Sequence, residues 1–476
     1  MFYRTIAAAL GAAVLSQTSV AATPSDDAHV LARDIFKQLI EIKTTESGVG
    51  STPAAEAMAQ RLLAGGFDPA DVQVIGPNER KKNLVVRLRG TGKRKPVLLI
   101  GHLDVVEARR EDWTTDPFQF IEKDGYFYGR GTQDMKDGDA IMVTTLLRYK
   151  REGLRPDRDI ILALTADEEG SNANGVDWLL KNRRELVDAE FVLNHDGSGV
   201  MLEKGKPVQM DVTASEKVYA DYDLAVTNPG GHSSVPPREN AIYRLSKALD
   251  KLAAYDFPFE LNSVTREYFE RSLKVADPKR AESLRGILRT PPDPQALAQI
   301  AQDPIDNATV RTTCVATRLN AGHANNALPQ AAHATVNCRI LPGHSPEEVR
   351  RELVKVVDDP KVAVRYMDTF NNKLVDVAPD QRGYTPPPPR PEVFRPLEKI
   401  AAKMWSGAPV IPSMSVGASD GVYTNAAGLP TYVVSGEALE RDDIRAHGQD
   451  ERIGVQSFYR AVDFYYDYLK AVVAYK

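Results

Sequence analysis

The sequence predicts an α/β fold in which a mainly parallel sheet, covered by helices, is interrupted by a smaller α+β domain. Two observations favour this fold. Strand-like apolar runs alternate with helix-like segments as far as Asn194, which is typical of a parallel sheet covered on both faces. After about Ala214 a strand, a helix, further strands and a helix follow instead. At 476 residues the chain is also too long for one compact core.

The elements of the first part follow from apolar spacing. Helices are predicted where apolar residues recur every three or four positions, and strands where short apolar runs end at polar or glycine residues. The predicted order is helix Asp27–Ile42, helix Pro53–Ala64, strands Val72–Ile75, Asn83–Leu88, Val97–Ile100 and Tyr126–Tyr128, helix Ala140–Tyr149, and strands Ile160–Leu164 and Phe191–Leu193.

The second part contains the predicted insertion and the return to the first domain. Its predicted order is strand Tyr219–Val226, turn Gly230–Ser234, helix Asn240–Leu252, several helices with proline-bearing loops over Tyr255–Asn307, strands Val310–Thr317 and Ala334–Ile340, and helix Pro346–Val357. Four consecutive prolines make Thr385–Pro391 a predicted linker. Helices Glu392–Met404 and Val455–Val473 then complete the first domain. The predicted domains are residues 23–214 and 391–476 for the larger one and 215–390 for the insertion.

Residues 1–22 have the pattern of a secretory signal peptide. Arg4 precedes the apolar run Ile6–Leu15, and small residues suited to signal peptidase follow at Ser19–Ala22. A membrane anchor is the less favoured alternative, because ten apolar residues cannot span ~30 Å of hydrocarbon as a helix. We therefore expect an exported protein, periplasmic or secreted, with no membrane span in its mature form.

Charge and cysteine content narrow the classes of partner and compartment. The net charge is −5, and removal of Arg4 with the signal peptide makes it −6, so nucleic acid is not the expected partner. Cys314 and Cys338 lie in separate strand-like stretches. Export would allow a disulfide between them, but two buried thiols are the slightly favoured interpretation.

Metal-ligand side chains collect where predicted strands end. His102 and Asp104 follow one strand, Asp167-Glu168-Glu169 another and Asp196 a third, and Asp134 follows the glycine pair Gly129 and Gly131. Active sites of open α/β sheets lie at the carboxyl ends of strands. His447, in a polar loop before Gly448, can reach the same place. Imidazole and carboxylate groups without thiolates favour zinc, cobalt or manganese.

Each group also has an ordinary interpretation, namely a surface histidine, a turn capped by aspartate, or a solvated acidic loop. Their coincidence favours a metal site over these alternatives. Asp104, two residues after His102, can orient the imidazole while His102 binds metal. If Glu169 binds metal, its neighbour Glu168 can stay unligated and act as a general base. His232, between Gly231 and two serines, stands out in the inserted domain.

Several motifs together make the chain resemble a known family. They are Gly101–Val106, Trp113 with Pro117-Phe118, Gly129–Gly131 through Asp134–Lys136, Thr165–Gly170, Gly230–Ser234, Asn326 with Pro329, Arg339 with Pro342-Gly343, Gly417–Asp420, and Ala446–Gly448. The chain resembles the zinc-dependent metallopeptidase family of aminoacylase, carboxypeptidase G and Gly-X carboxypeptidase types, carnosinase-type dipeptidases and succinyl-diaminopimelate desuccinylase. The insertion Tyr255–Asn307 most resembles the Gly-X carboxypeptidase and N-acyl-amino-acid hydrolase branch.

The resemblance implies two zinc ions per chain, with cobalt or manganese as substitutes. The first would be held by His102, Asp134 and Asp196, and the second by Asp134, Glu169 and His447. Many relatives have Glu where this chain has Asp196, which leaves His195 as a competing ligand. The implied catalytic residues are Glu168 as general base and acid, Asp104 orienting His102, and His232 stabilising the oxyanion, in dimeric members from the neighbouring subunit. The implied substrate-binding residues are Asn326, Arg339, Gly417 and Ser419.

The expected reaction is cleavage of an amide or peptide bond next to a C-terminal amino acid, as in a carboxypeptidase or dipeptidase. The alternative is an N-acyl-amino-acid deacylase. A non-catalytic metal-containing binding protein is less favoured, because Glu168 and His232 are both present. The expected partner is a small peptide or N-acyl amino acid substrate. The resemblance allows either a monomer or a homodimer, and in a homodimer the inserted lid and dimerisation domain would hold the two copies together.

Overall fold

A computed structural model describes residues 24–170, 173–197, 199–368, 372–380, 383–386 and 388–474. The predicted signal peptide lies outside the described residues. Among the helices that are described, none has both the length and the apolar character that crossing a membrane requires.

The strands and helices alternate through the first part of the chain, as predicted. The strands are β1 (Val72–Ile75), β2 (Asn83–Leu88), β3 (Val97–His102), β4 (Ile121–Lys123), β5 (Tyr126–Tyr128), β6 (Ile160–Thr165), β7 (Phe191–Asn194), β8 (Gly199–Glu203), β9 (Lys206–Glu216), β10 (Val218–Thr227), β11 (Gly231–His232), β12 (Thr313–Ala321), β13 (Ala327–Leu328), β14 (Ala331–Ile340), β15 (Ala363–Asp368), β16 (Lys373–Val375), β17 (Val410–Ser415), β18 (Thr431–Val433), β19 (Ala438–Glu440) and β20 (Arg452–Gly454). The helices are α1 (Pro24–Glu41), α2 (Thr52–Ala64), α3 (Lys136–Arg151), α4 (Gly175–Asn182), α5 (Arg184–Val187), α6 (Ala241–Ala253), α7 (Ser263–Ser272), α8 (Pro278–Ile287), α9 (Pro294–Ile300), α10 (Pro304–Thr309), α11 (Pro346–Val357), α12 (Pro391–Met404), α13 (Gly421–Ala426) and α14 (Val455–Val473).

The larger sheet confirms the predicted α/β class. Its strand order is β1-β2-β6-β3-β7-β18-β9-β8-β19, and β17 also pairs with β9. The central strand β3 runs parallel to both of its neighbours, so that Val97 lies opposite Ile160 on β6 and Phe191 on β7. The carboxyl ends of these three strands therefore meet at one edge of the sheet.

Both faces of this sheet are buried, which explains why its strands are continuous apolar runs. On β3, Val97 and Leu99 join the core beneath α1, α3 and α14, whereas Leu98 and Ile100 face the smaller core beneath α4 and α5. The first core includes the stacked rings of Phe36 and Phe458, whose centroids are 4.8 Å apart. A strand buried on both sides cannot shift in register without exposing one of the two cores, so the strand ends are fixed in place.

The smaller sheet is antiparallel, in the order β12-β14-β10-β15-β16. Helices α6 and α11 cover one face, and the buried residues of β14 alternate with half-exposed ones, as expected for a sheet with one covered face. This arrangement agrees with the predicted α+β insertion, although the domain boundaries at 214 and 390 stay a prediction. Lys217 lies between β9 and β10, where the chain first passes from the larger sheet to the smaller one.

The segment from Tyr255 to Asn307 forms helices joined by short loops, as predicted. Three of these helices begin with an aspartate cap followed by proline, at Asp277, Asp293 and Asp303. The carboxylate accepts hydrogen bonds from the first free backbone N–H groups, and proline supplies a favourable first helical residue. The helices have a separate apolar core around Phe269, and α7 also packs against β17 of the larger sheet.

The favoured interpretation of the cysteines was wrong. Cys314 on β12 lies directly opposite Cys338 on β14, and the two form a disulfide. The sequence places both cysteines in strands but does not show which strands pair. The register of β12 against β14 decides the matter.

Two predicted element boundaries also differ from the structure. Helix α3 begins at Lys136 rather than Ala140, because its polar first turn is buried against the rest of the domain instead of exposed. Strand β12 spans Thr313–Ala321 rather than Val310–Thr317, and most of it is exposed at the edge of the sheet, so apolar spacing marks its ends poorly. The described residues of Thr385–Pro391 that precede α12 form neither helix nor strand.

Candidate active site

Three neighbouring strand ends bring the predicted ligands together. His102 is the last residue of β3, Glu169 follows β6, and Asp196 follows β7. Asp134 comes from the loop before α3, and His447 from the loop between β19 and β20. All five side chains converge on one place, as the positions of the strand ends predicted.

The first cluster contains His102, Asp134 and Asp196. His102 Nε2 lies 3.0 Å from one oxygen of Asp134 and 4.0 Å from Asp196 Oδ1. The imidazole is buried, with 1% of its residue surface exposed. Its other nitrogen, Nδ1, lies 2.9 Å from the backbone oxygen of Asp104. An imidazole that donates from Nδ1 to a carbonyl leaves Nε2 free to bind a cation.

The second cluster contains Asp134, Glu169 and His447. His447 Nε2 lies 3.0 Å from the second oxygen of Asp134 and 2.8 Å from Glu169 Oε1. The two oxygens of Asp134 therefore face two different histidines. In each cluster the nitrogen and oxygen atoms that could bind metal lie within 4.8 Å of one another. Asp134 is in the position of a carboxylate shared by two cations.

The electrostatics of the clusters fit divalent cations. Burial opposes ionisation of Asp134, yet its hydrogen bonds with His102 and His447 outweigh burial and lower its pKa. Hydrogen bonds to Asp134 and Glu169 raise the pKa of His447 to about 10. Burial, with the nearby charge of Asp134, raises the pKa of Asp196 to about 8. Bound protons thus offset the negative charge of these carboxylates, and bound metal cations would displace the protons.

Glu168 lies beside the clusters without being needed by either. Burial, followed by the charges of Asp196, Asp420 and Glu169, raises its pKa to about 10 despite the opposing effect of His102. Cations among these carboxylates would reverse that effect and favour the ionised form. The ligand atoms of His102, Glu168 and Glu169 also lie within 4.8 Å of one another, so these three residues form an alternative ligand set. It competes with the predicted role of Glu168 as an unligated base.

Asp104 contacts both the acidic pair and His102, through different atoms. Its carboxylate accepts hydrogen bonds from the backbone nitrogens of Glu168, at 3.2 Å, and Glu169, at 3.0 Å. The same carboxylate is 3.8 Å from His102 Nδ1, farther than its own backbone oxygen. Asp104 thus holds the acidic pair through its side chain and His102 through its main chain.

Glu451 is a supporting residue that sequence reasoning missed. Its fully buried carboxylate accepts backbone hydrogen bonds from Gly131, Gln133 and Asp134 at 2.7–3.2 Å and pairs with Arg130 at 2.5 Å. Arg130 also donates to the backbone oxygen of Gly448, at 2.9 Å. These contacts fix the Asp134 loop to the His447 loop. The only signal in the sequence was an acid four residues after His447, which is indistinguishable from a surface charge.

A second missed contact supports the acidic turn after β6. Asp167 is buried and has a φ of +63°, a left-handed conformation that is uncommon outside glycine. Its carboxylate accepts hydrogen bonds from Lys81 Nζ at 2.7 Å and from the backbone nitrogen of Ala173 at 2.5 Å. Lys81 and Asp167 therefore hold the turn that aims Glu168 and Glu169.

Gly417 and Ser419 lie in the loop between β17 and α13. Ser419 donates to Glu216 at 2.6 Å and accepts a hydrogen bond from the Asn194 amide at 3.1 Å. The Asn194 amide oxygen in turn accepts from the backbone nitrogen of Asp196 at 3.1 Å. Ser419 is thus connected to Asp196 of the first cluster through the Asn194 side chain.

The predicted oxyanion and substrate-binding residues of the inserted domain are not part of the two clusters. His232 is exposed on β11, next to Asn326, whose backbone oxygen accepts a hydrogen bond from Ser233 at 3.1 Å. The Arg339 guanidinium lies 4.7 Å from the centre of the Tyr219 ring. Among the hydrogen bonds and ion pairs of the described residues, none joins His232, Asn326 or Arg339 to the two clusters. His195 packs beside Tyr465 and lies 3.6 Å from Glu437, and among the described residues it belongs to none of the metal-ligand groups.

The chain is similar to known proteins in both sequence and fold. The model of peptidase family M20/M25/M40 matches residues 98–471. N-fatty-acyl-amino acid synthase/hydrolase PM20D1 of Xenopus tropicalis is 31% identical over 378 residues, covering 78% of this chain and 71% of that protein. Probable carboxypeptidase S-like 2 of Dictyostelium discoideum is 29% identical over 398 residues, covering 79% and 71%.

The fold is also similar to that of a solved structure. The M20 family metallo-carboxypeptidase Sso-CP2 from Sulfolobus solfataricus has a TM-score of 0.68 and 18% identity, covering 93% of this chain and 99% of that one. The family match includes the larger sheet from Leu98 of β3 onward and all five clustered ligand-type residues. The chain is therefore a metal-binding hydrolase of peptidase family M20/M25/M40.

Proposed function

We propose that this protein hydrolyses the amide bond that joins an acyl or peptidyl group to a C-terminal amino acid, using two zinc ions. The observation that carries the proposal is Asp134, whose two oxygens each face a different histidine–carboxylate set. The sets His102–Asp134–Asp196 and Asp134–Glu169–His447 offer nitrogen and oxygen donors that suit zinc, with cobalt or manganese as substitutes.

Bound divalent ions would supply Lewis-acid polarisation of the amide carbonyl and of water. Glu168 takes the proton from the attacking water and delivers it to the leaving amine nitrogen. It is the neighbour of Glu169 in sequence and belongs to neither proposed ligand set, so it would be free to face a substrate. Asp104 positions Glu168 by accepting its backbone N–H. A positioned acid–base group of this kind contributes roughly 10²–10⁴-fold to the rate.

The favoured substrate class is an N-acyl amino acid. The similarity to the N-fatty-acyl-amino acid synthase/hydrolases of Xenopus tropicalis and Mus musculus supports this class. Arg339 is proposed to bind the free carboxylate of the substrate, since guanidinium groups pair with carboxylates in a two-pronged manner. Asn326 would bind the substrate beside it, and Gly417 and Ser419 would line the pocket. His232 would stabilise the oxyanion from a closed inserted domain.

A carboxypeptidase or dipeptidase is the second candidate. The similarity to the probable carboxypeptidase S-like protein favours it. A peptide with a free C-terminus presents the same amide and carboxylate as an N-acyl amino acid, so the catalytic residues would be the same.

The signal-peptide pattern of residues 1–22 supports export to the periplasm or outside the cell.

A hydrolysis screen tests the proposal. The zinc-loaded protein is assayed against N-acyl amino acids, dipeptides and longer peptides, each with its C-terminal carboxylate free or blocked as the amide. We expect cleavage of the free acids only, with N-acyl amino acids preferred. Equal cleavage of the blocked compounds would contradict carboxylate recognition, and preference for peptides would favour the second candidate. Metal analysis of the same sample should give two ions per chain, and a reproducible single ion would contradict the two-metal proposal.

A further inference from the structure

A cleft of about 950 Å³ lies between the larger sheet and the helices α7, α8 and α10. Its floor is made by alternate residues of β9, such as Asp211 and Thr213, together with Ser415 of β17. Ile305 of α10 is on one wall, and Ile444 of the loop that leads to His447 is on another. The cleft belongs to neither metal-ligand cluster.

Four exposed apolar side chains face this one cleft. Val275 is 43% exposed, Ile305 65%, Val416 37% and Ile444 57%. Large apolar side chains scattered singly on a surface need no explanation, but several around one concave site indicate a binding groove. A volume of this size is at the upper end of the ~300–1,000 Å³ range of small-molecule sites.

Apart from Asp211, the charged groups of the cleft are bonded either to one another or, at the aspartate caps of α8 and α10, to backbone N–H groups. Arg280 binds Asp306 through two hydrogen bonds, at 2.5 and 3.0 Å. Arg441 pairs with Glu203 at 3.1 Å. The Asp211 carboxylate accepts a hydrogen bond from the amide of its neighbour Gln209 at 2.8 Å. The cleft therefore offers apolar surface more readily than it offers free charges to a ligand.

The cleft is continuous in sequence with the proposed active site. Ser415 and Val416 immediately precede Gly417, whose backbone nitrogen donates to Ser415 Oγ at 3.1 Å. Ile444 lies three residues before His447, and the Gln133 amide oxygen holds the intervening Arg445 backbone nitrogen at 2.7 Å. The same two loops that carry Gly417 and His447 thus also form the rim of the cleft.

We propose that this cleft binds the hydrophobic chain of an N-acyl amino acid while the amide lies at the two metal-ligand clusters. This role rests on the proposed function. An alkyl chain needs no hydrogen-bond partners, whereas each residue of a buried peptide brings an amide whose burial is costly unless it is bonded. The exposed aliphatic groups of the cleft, and charged groups that are already bonded within the protein, fit the alkyl chain better than a peptide.

A chain-length series tests the role. The protein is assayed with acetyl, butyryl, octanoyl and dodecanoyl derivatives of one amino acid, all below the concentration at which they form micelles. If the cleft buries the chain, kcat/KM rises by up to roughly fourfold for each added CH₂ group, the equivalent of ~0.8 kcal/mol. A flat series among hydrolysed substrates would overturn the acyl-binding role while the proposed function stands. If no N-acyl amino acid is hydrolysed, both fail together.

Two substitutions test whether the acyl chain of the substrate lies in this cleft. Ile305→Asp puts a charge on the cleft wall at an exposed position in the first turn of α10, where an acid is compatible with the helix. We expect a much smaller gain per CH₂ group in this variant, and Val275→Asp provides an independent second test. Val30→Asp is the matched control, because Val30 is 69% exposed on α1 and far from these helices in sequence. An unchanged chain-length dependence in both cleft variants would overturn the proposal.

Discussion

The two oxygens of Asp134 illustrate how much of this site depends on single atoms. One faces His102 and the other His447, each at 3.0 Å. An asparagine at that position would keep only one acceptor oxygen and could serve only one cluster. Asp104 also divides its atoms between two tasks, because its carboxylate holds the Glu168–Glu169 backbone and its carbonyl holds His102. Neither division is visible from residue types alone.

The first prediction concerns Glu168. Glu168→Gln should keep both metal ions and lose at least ~10²-fold in kcat, because an amide cannot take up the proton of the attacking water. Metal analysis and steady-state kinetics on the same preparation check both parts. A variant that loses metal but keeps full activity in its remaining metal-loaded fraction would show that Glu168 is a ligand and not the base.

The second prediction concerns Glu451, which holds the Asp134 loop. Glu451→Gln leaves Arg130 without its buried ion partner and weakens the backbone contacts to Gly131, Gln133 and Asp134. We expect a loss of roughly 3 kcal/mol in the free energy of unfolding, as for other broken buried pairs, together with weaker metal binding. Urea unfolding and metal titration measure the two effects.

The matched control for that variant is Glu79→Gln. The Glu79 side chain is 91% exposed and, among the residues that the structure describes, forms its ion pair with Lys82 at the surface. Surface changes of this kind usually alter stability by less than about 0.5 kcal/mol. If both variants behave alike, Glu451 is not a support of the site.

At the scale of elements, β12 is an exposed edge strand joined to its neighbour by the Cys314–Cys338 disulfide. The two cysteines are 24 residues apart in sequence. A cross-link closing a loop of that length stabilises a protein by roughly 3 kcal/mol, mainly by restricting the unfolded chain. The double variant Cys314→Ala/Cys338→Ala should therefore unfold at lower denaturant concentration.

The reductant provides the control for this third prediction. Dithiothreitol should lower the stability of the wild-type protein towards that of the double variant and leave the double variant unchanged. Equal stability of wild type and double variant without reductant would mean that the bond does not form in the protein as isolated. That result would restore the buried-thiol interpretation.

At the scale of the whole molecule, His232 lies on the inserted domain while the metal-ligand residues lie on the larger one. It can stabilise an oxyanion only if that domain, from the same or a partner chain, closes over the clusters, as lids commonly do. His232→Ala should therefore lower kcat strongly and leave metal content and stability unchanged. An unchanged kcat would contradict the oxyanion role.

Subunit mixing separates the two arrangements. If His232 acts across a dimer, mixed Glu168→Gln and His232→Ala chains recover part of the activity, because one of the two sites in each heterodimer is complete. If no activity returns after proven exchange, His232 acts within its own chain.

The sequence predicted those features that depend on local pattern. Continuous apolar runs located β3, β6 and β7, and their parallel order then placed His102, Glu169 and Asp196 together. Features that depend on distant pairing were not predictable in this way. The Cys314–Cys338 bond needs the register of two strands, and the role of Glu451 needs the packing of two loops. A buried acid and a solvated one look the same in a sequence.

The order in which the chain is synthesised gives the second ligand set a consequence of its own. His447 and Glu169 are 278 residues apart in sequence, yet their side chains lie 2.8 Å apart. A growing chain presents His102, Asp134, Glu169 and Asp196 long before His447 exists. Contacts between such distant residues form late in folding, because a long loop must first close. A partly synthesised chain therefore lacks the second ligand set, so completion of that set marks a chain that has folded through residue 447.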